Sequence, residues 1–533
     1  MRTSPQARRI ALAALLAVFL LRIGLTWPVF NDTFDESGHI RNGLEILQRH
    51  SFTLEAEQPP LGALVVAALP YFVAGLRLNH ANELWGQGAW ATREVAYFWR
   101  TLALARAGNL LFAVLLFSFV YLWAQRLYGP TAGLAACAVA TCCPNLIAHA
   151  GLATLDIGGA ATVLMGAFFL WRWVEQPAWR SGLAAGAACG VAVATKISAA
   201  FFLPVLAVLF CLVARRGPRL EGEMAARWPP WRQAAWLAGV MAVVVWAGYG
   251  FQVGAMAPPG HRYISPFYMG EPPGLPGAAV RTMGTWPLPA HKVVQGVIEV
   301  FSHNQVGHPA YLLGRVSSHG WWYYFPLAVA FKGTLPMLGL AAMGVWLGWR
   351  RSKFPLLAGG VILALAMSSN LNIGVRHVLS LFPFLAILGS PVFLAAGRRT
   401  RLAGTALLLW HAGESVAAHP DYLAYFNELG RGREERLLAD SNLDWGQDLA
   451  RLGRWMEQNR VESLRLHYFG RSSPEKLGVR RRPLGASQPE RGWIAISLTH
   501  LAGASGEPAD PAWLRDRKPE ARAGKSIWIY RVE

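Results

Sequence analysis

The chain has 533 residues, 53% of them hydrophobic and only 15% charged, with a net charge of +19. Soluble proteins are charged at roughly 25% of positions, so the long apolar runs point to a membrane bundle, each span needing about 20 residues. The excess positive charge falls in short clusters at the ends of those runs (Arg2, Arg8, Arg9; Arg215, Arg216, Arg219; Arg350, Arg351, Lys353; Arg398, Arg399, Arg401). That placement excludes the single basic face of a nucleic-acid binder and follows the positive-inside rule.

In chain order, the first apolar stretch, 10–30, is longer than the hydrophobic region of a signal peptide and ends in no small-residue cleavage site. It is read as an uncleaved first span. Further apolar runs put spans near 101–123, 131–149, 157–174, 182–196, 199–214, 233–252, 322–348, 355–369, 378–397 and 402–412, about eleven in all. With the N-terminus inside, the short inside segments hold 17 Lys or Arg against 3 Asp or Glu, whereas the first outside loop, 31–100, holds 5 against 8. The expected fold class is therefore an all-α polytopic membrane protein. Residues 1–412 form the bundle, with large outside loops at 31–100 and 253–321, and 413–533 form a small soluble α/β domain on the outside. Within the first loop, the apolar stretch Leu61 to Leu78 after Pro59 and Pro60 is predicted to be a surface helix. In the tail, Ser441 to Asp444 fits a capping box ahead of a helix whose apolar face carries Trp445, Leu449, Leu452, Trp455 and Met456. Segments 463–469, 492–498 and 526–531 read as strands. All five cysteines (Cys137, Cys142, Cys143, Cys189, Cys211) lie in apolar runs and read as packing residues.

Several polar residues stand where chemistry could use them. Asp35 and Glu36 follow the first span at the outer mouth, where a carboxylate can take a proton or hold a divalent cation. A solvated loop pair is the alternative. Asp156 opens an apolar helix, either as a supporting acid or because a helix N-terminus favours negative charge. Lys196 interrupts more than 30 apolar residues, either to meet an anion or as a snorkelling interface residue. Lys332, Arg376 and His377 are candidate phosphate ligands, with Arg100 and Arg106 as weaker ones. His303, His308 and His319 match no standard metal spacing. Trp321 and Trp322 read as an interfacial belt or as a platform for a sugar ring.

At these residues the sequence resembles the GT-C superfamily of polyprenyl-phosphate-dependent glycosyltransferases. More narrowly, it resembles the bacterial relatives of protein O-mannosyltransferases and of the aminoarabinose lipid A transferase. The matching pieces run in order: Asp35, Glu36 and His39; Gln58 to Leu61; Pro144 to His149 leading to Thr154 and Asp156; Ala194 to Lys196; and Arg376, His377 and Pro383. Gly307, His308 and Pro309 with Trp321 to Pro326 and Lys332, and the tail segments Tyr422 to Glu428 and Asp440 to Asp448, look like one bacterial branch. The resemblance spans about residues 10–470. Gln58 before the Pro-Pro pair, His377 after Arg376, and Ile197-Ser198 after Lys196 depart from its usual pattern.

The resemblance implies a glycosyltransferase that moves a sugar from a polyprenyl-phosphate carrier to a glycan, lipid or protein acceptor at the outer face of a bacterial inner membrane. Asp35 would be the base of an inverting displacement, with Glu36 and Asp156 as further catalytic acids. By the resemblance Lys196 and Arg376 would bind the carrier phosphate; by their own positions His377, Lys332 and Arg100 are further candidates for it, and His39, His308, Trp321 and Trp322 for contacts with sugar or acceptor. A divalent cation, Mg or Mn, is a possible cofactor, with its ligands unknown. Partners are the lipid-linked sugar, the acceptor and membrane lipids, and no nucleic acid. A flippase for lipid-linked sugars and a non-catalytic assembly factor are the rival readings.

Overall fold

The structure is a computed structural model that describes residues 4–55, 57–86, 92–215, 230–257, 273–483, 491–506 and 512–533. The basic residues Arg2, Arg216 and Arg219 lie outside the described residues.

Helix α1 (Pro5–Gly24) starts where Ser4 caps the Ala7 amide at 3.1 Å and Pro5 fixes the first turn. The expected first outside loop is built of helices: α2 (Glu36–Arg49), α3 (Pro60–Val73) and α4 (Leu78–Leu84), then the start of α5 (Thr92–Gly108). The helix expected over Leu61 to Leu78 therefore stops at Val73. The chain turns at Gly75 (φ 67°) and leaves as α4 at 96°. α3 packs between α2 and α5 rather than lying alone on a membrane surface.

Next come α6 (Leu110–Tyr128), α7 (Pro130–Thr141), α8 (Pro144–Ala150), α9 (Asp156–Glu175), α10 (Trp179–Thr195), α11 (Ala199–Arg215) and α12 (Pro230–Gly248). Pro144 cannot continue α7, and α7 and α8 meet at 69°. α10 packs closely on α12, because a Cβ on Gly186 would stand 2.6 Å from the Leu237 carbonyl and one on Gly190 2.9 Å from that of Met241. Small residues four apart allow this approach.

After a short ladder of β1 (Val253–Gly254) and β2 (Leu288–Pro289) come α13 (Gly274–Met283), α14 (His291–Val306) and a hairpin of β3 (Ala310–Leu312) and β4 (Arg315–Ser317). α15 (Tyr324–Lys332) turns through 109° into α16 (Leu335–Met367), which continues through the basic segment 349–354 with a kink at Gly348. α17 (Leu381–Gly389) and α18 (Arg398–Ala417) complete the bundle. By length and composition, two continuous helical runs among the described residues can cross a membrane, Glu94–Tyr128 and Asp156–Glu175, or up to five if each bent pair is one span.

The tail contains a helical turn, α19 (Glu434–Leu437), then α20 (Leu449–Gln458) and five strands: β5 (Leu464–His467), β6 (Arg481–Pro483), β7 (Gly492–Ser497), β8 (Ala521–Ala523) and β9 (Ile527–Val532). They form one sheet in the order β6-β5-β7-β9-β8, with β5 parallel to both neighbours and β9 antiparallel to both of its own. Alternation divides the sheet faces. Ala495, Ile527 and Ile529 pack with Leu449, Leu452 and Met456 of α20, whereas Ile494, Ile496, Trp528 and Tyr530 join the apolar core of the bundle. The expected capping box does not form. Ser441 lies in a separate 3-10 turn and α20 begins only at Leu449, because Ser441, Asn442 and Trp445 are drawn into contacts with the turn around Arg376.

Candidate active site

Arg106 of α5 organises the link between α1 and α2. Its guanidinium donates to the carbonyls of Trp27, Phe30 and Asn31 and holds both carboxylate oxygens of Glu36, at 2.8 and 2.9 Å. Glu36 also accepts from the Thr33 and Ala153 amides. Both side chains are buried and fully occupied, so Glu36 is a structural anchor, not a catalytic acid.

The tail grips the same link from the other side. Asn31 donates to the Gly446 carbonyl and accepts from the Ala450 amide, and Asp32 accepts from Ser472. The Phe34 amide donates to the Trp445 carbonyl at 2.9 Å, and its ring stacks on Phe469. Between these grips lies Asp35. Its side chain makes no capping bond to α2, and it accepts instead from Arg376 Nη1 at 2.6 Å, with 26% of the Asp35 side chain and 13% of Arg376 exposed.

Arg376 lies in a 3-10 turn, Val375–Val378, that follows Gly374. Gly374 adopts φ 143°, and a Cβ there would run into Ser441, so glycine is needed for this close approach. Tail residues fix the turn: Ser441 donates to the Ile373 carbonyl and Asn442 accepts from the Val375 amide. The Trp445 ring lies 4.3 Å under the Arg376 guanidinium.

A second ion pair stands beside the first. Asp156, opening α9, accepts from Lys196 at 2.5 Å and from Thr154 at 3.1 Å, with His149 Nδ1 at 3.5 Å. Lys196 follows α10 in extended backbone where the chain reverses into α11. Its stem crosses Gly159 so closely that a Cβ there would meet it at 2.7 Å. Trp445 joins the pairs, its ring being edge-to-face with His149 at 6.1 Å. Arg376 is within electrostatic range of Asp35, Asp156 and Asp440. Asp35, Asp156, Lys196 and Arg376, spread over 342 residues of chain, thus share one mouth.

The remaining candidates divide. His377 borders the group, within electrostatic range of Arg376, Lys196 and Asp156. His308 also lies close, pairing with His303 at 3.2 Å and feeling Asp440, Arg376 and Asp35. Burial pushes the His308 imidazole below its usual value and that of His303 down to about 4. His39 is buried and hydrogen-bonded to Glu55 at 2.8 Å. Lys332 is 1% exposed and donates to the carbonyls of Leu423 and Asn442. It ties the tail to α15 and cannot reach a carrier phosphate. Arg100 is exposed on α5 and makes no ion pair among the described residues. Trp321 gives its backbone amide to Asn372, and Trp322 is 68% exposed. Trp445 and His149 are the side chains here to which the sequence reading gave no role at the site.

Among the described residues, no group of three or more His, Cys, Asp or Glu side chains is placed to hold a metal ion. Asp35 and Asp156 each face a cationic side chain, so this donor set does not fit a divalent cation.

These positions can be set beside known proteins. A family model described as dolichyl-phosphate-mannose-protein mannosyltransferase matches residues 88–246, which include Asp156 and Lys196. Among solved structures, ArnT from Cupriavidus metallidurans bound to undecaprenyl phosphate superposes with a TM-score of 0.52 at 15% identity, covering 97% of both chains. The same protein in its apo state gives 0.50 at 14%, again covering 97% of each. The chain has the GT-C fold. The archaeal oligosaccharyltransferase AglB from Archaeoglobus fulgidus, in complex with an inhibitory peptide and a dolichol-phosphate, gives 0.48 at 12% identity over 95% of this chain and 72% of that one. No curated protein matches at the level of sequence. The two ion pairs set the partly exposed carboxylate of Asp35 on Arg376 and the buried one of Asp156 on Lys196.

Proposed function

We propose that the protein transfers a sugar from a polyprenyl-phosphate carrier to an acceptor hydroxyl at this mouth. The supporting observation is the juxtaposition of Asp35 on Arg376 with Asp156 on Lys196. The ArnT structure that shares the fold is bound to undecaprenyl phosphate, and the carrier class is taken from it as part of the proposal.

Asp35 takes the acceptor proton as the acceptor oxygen bonds to the anomeric carbon. The bond from that carbon to the phosphate oxygen breaks, inverting the centre, and the carrier phosphate leaves with the electron pair. Arg376 and Lys196 neutralise the departing phosphate, Arg376 through its planar fork and Lys196 as a point charge. Asp156 holds Lys196 in place before the carrier arrives. Trp445 limits the swing of Arg376. His377 and His308 border the site and Trp322 offers an exposed ring to a sugar. The chain sits in the bacterial inner membrane with its N-terminus cytoplasmic and both mouth and tail periplasmic.

The test is sugar transfer in proteoliposomes supplied with labelled polyprenyl-phospho-hexoses and a membrane extract as acceptor, wild type against Asp35→Asn. Transfer by the wild type alone is the expected result. Equal transfer by both proteins removes Asp35 as the base, and no transfer by either, with carrier crossing the bilayer, replaces this reading with a flippase.

A further inference from the structure

A cavity of about 460 Å³ lies between α2 and the tail. Its walls include Ser37 and Arg41 of α2, Trp85, and Tyr468, Arg471 and Arg481 of the tail. We propose that this cavity is an oxyanion site that holds a phosphate group. That the phosphate belongs to the acceptor rests on the transfer reading above, whereas the binding itself does not.

Among the described residues, the cavity is lined by two arginines without a counter-charge of their own, over a floor of buried donors. Ser37 Oγ and Trp85 Nε1 are buried and have no hydrogen-bond partner among the described residues. Native interiors rarely leave such groups unpaired. Arg41 and Arg471 form no ion pair among the described residues. Arg41 donates to the Ser37 carbonyl at 3.3 Å and Arg471 rests on the Phe34 ring at 4.4 Å. The two guanidinium groups are close enough to repel, and burial followed by the charge of Arg471 pushes Arg41 below its usual pKa. Glu55, which is within electrostatic range of Arg41, gives one oxygen to His39, and its other oxygen stands at Gly38 near Arg471. Arg481 is paired with Glu475 at 3.0 Å and rims the opening. Two guanidinium forks on one space suit a group with several acceptor oxygens and negative charge.

Position separates this site from the reacting centre. Arg41 is six residues along from Asp35, about 9 Å of helix rise. A phosphate bound here is too remote to be the leaving group. It is a handle that orients the rest of the ligand, and remote contacts of that kind supply rate by positioning.

The experiment uses the full chain in discs of zwitterionic lipid with no sugar donor. Radiolabelled inorganic phosphate is measured by equilibrium dialysis, and radiolabelled phosphatidic acid by retention through detergent exchange, for wild type and Arg471→Ala. At least one probe should bind saturably to the wild type, and the variant should weaken it by about tenfold or more, as expected for one lost charge-assisted partner. Binding of inorganic phosphate points to a small soluble phosphate ester, and binding of phosphatidic acid alone to a lipid head group. Arg41→Ala replaces Arg471→Ala if that variant fails to fold. No binding of either probe by wild type, or equal binding by the variant, overturns the proposal. Because no sugar donor is present, failure of the transfer assay leaves this result standing, and the reverse also holds.

Discussion

Asp35 and Glu36 are neighbours in sequence, each paired with an arginine from far away, yet they do opposite work. Glu36 is 0% exposed and Arg106 1%, and between them they satisfy backbone groups at both ends of the link from α1 to α2. Asp35 and Arg376 meet through one hydrogen bond and keep part of their surface open. Two adjacent acids cannot be sorted by spacing. What sorts them is whether the partners of each are used up inside the protein.

The sharpest way to break this comparison is to remove the inner pair. Glu36→Ala leaves Arg106 buried without its counter-charge, and breaking a buried pair costs about 3–5 kcal/mol. The expected result is a large fall in the thermal unfolding midpoint in detergent, with activity lost only as folded protein is lost. Asp35→Asn should do the reverse. Transfer should fall by about 10²–10⁴-fold, the usual contribution of a general base, while the midpoint moves little, since a partly exposed pair is worth about 1 kcal/mol or less. A collapse of the fold in Asp35→Asn, or an intact fold in Glu36→Ala, would reverse the assignment of the two acids.

Trp445 tests how far the outer pair depends on the tail. A cation over an indole face contributes about 1–2 kcal/mol when sheltered from water. Trp445→Leu keeps the apolar bulk and loses that face. Transfer should fall by about tenfold with no change in the assigned base, so adding Asp35→Asn to this variant should lower activity below that of Asp35→Asn alone. An unchanged rate in Trp445→Leu would mean that Arg376 is held sufficiently by Asp35 and by its own turn.

Much of this architecture was legible in the chain. Apolar runs marked the helices because burial and membrane insertion both need them, and β5, β7 and β9 fell where aromatic and branched residues cluster. Asp35, Asp156, Lys196 and Arg376 stood out because charge in an apolar setting is costly. Three things were hidden. The bends at Gly75, Pro144 and Gly333 divide apolar runs that look continuous. Lys332 looked like an anion ligand because nothing local shows that the Leu423 and Asn442 carbonyls close over it. Trp445 looked like one more apolar residue on a helix face, since its contact with Arg376 joins segments 69 residues apart and leaves no periodic trace.

A buried acid with no cation as its first partner sharpens the comparison from the other side. Asp444 is 0% exposed and accepts from the amides of Thr499 and Gly446. Burial pushes its carboxyl up to about 7, against which those bonds act only in part. The folded pKa is raised above the unfolded 3.8, so the folded state holds a proton that the unfolded state has released. Its contribution is then fully present below about pH 4 and is lost as pH rises through about 7. The unfolding midpoint should therefore be lower at pH 8 than at pH 5, and Asp444→Asn, which cannot ionise, should flatten that slope without abolishing it. Asp448 and Asp32, both raised by burial to about 6, keep a remainder of the same sign. An unchanged slope in Asp444→Asn would mean that Asp444 is ionised in the folded tail, as Glu36 is, and that backbone amides alone do for it what Arg106 does for Glu36.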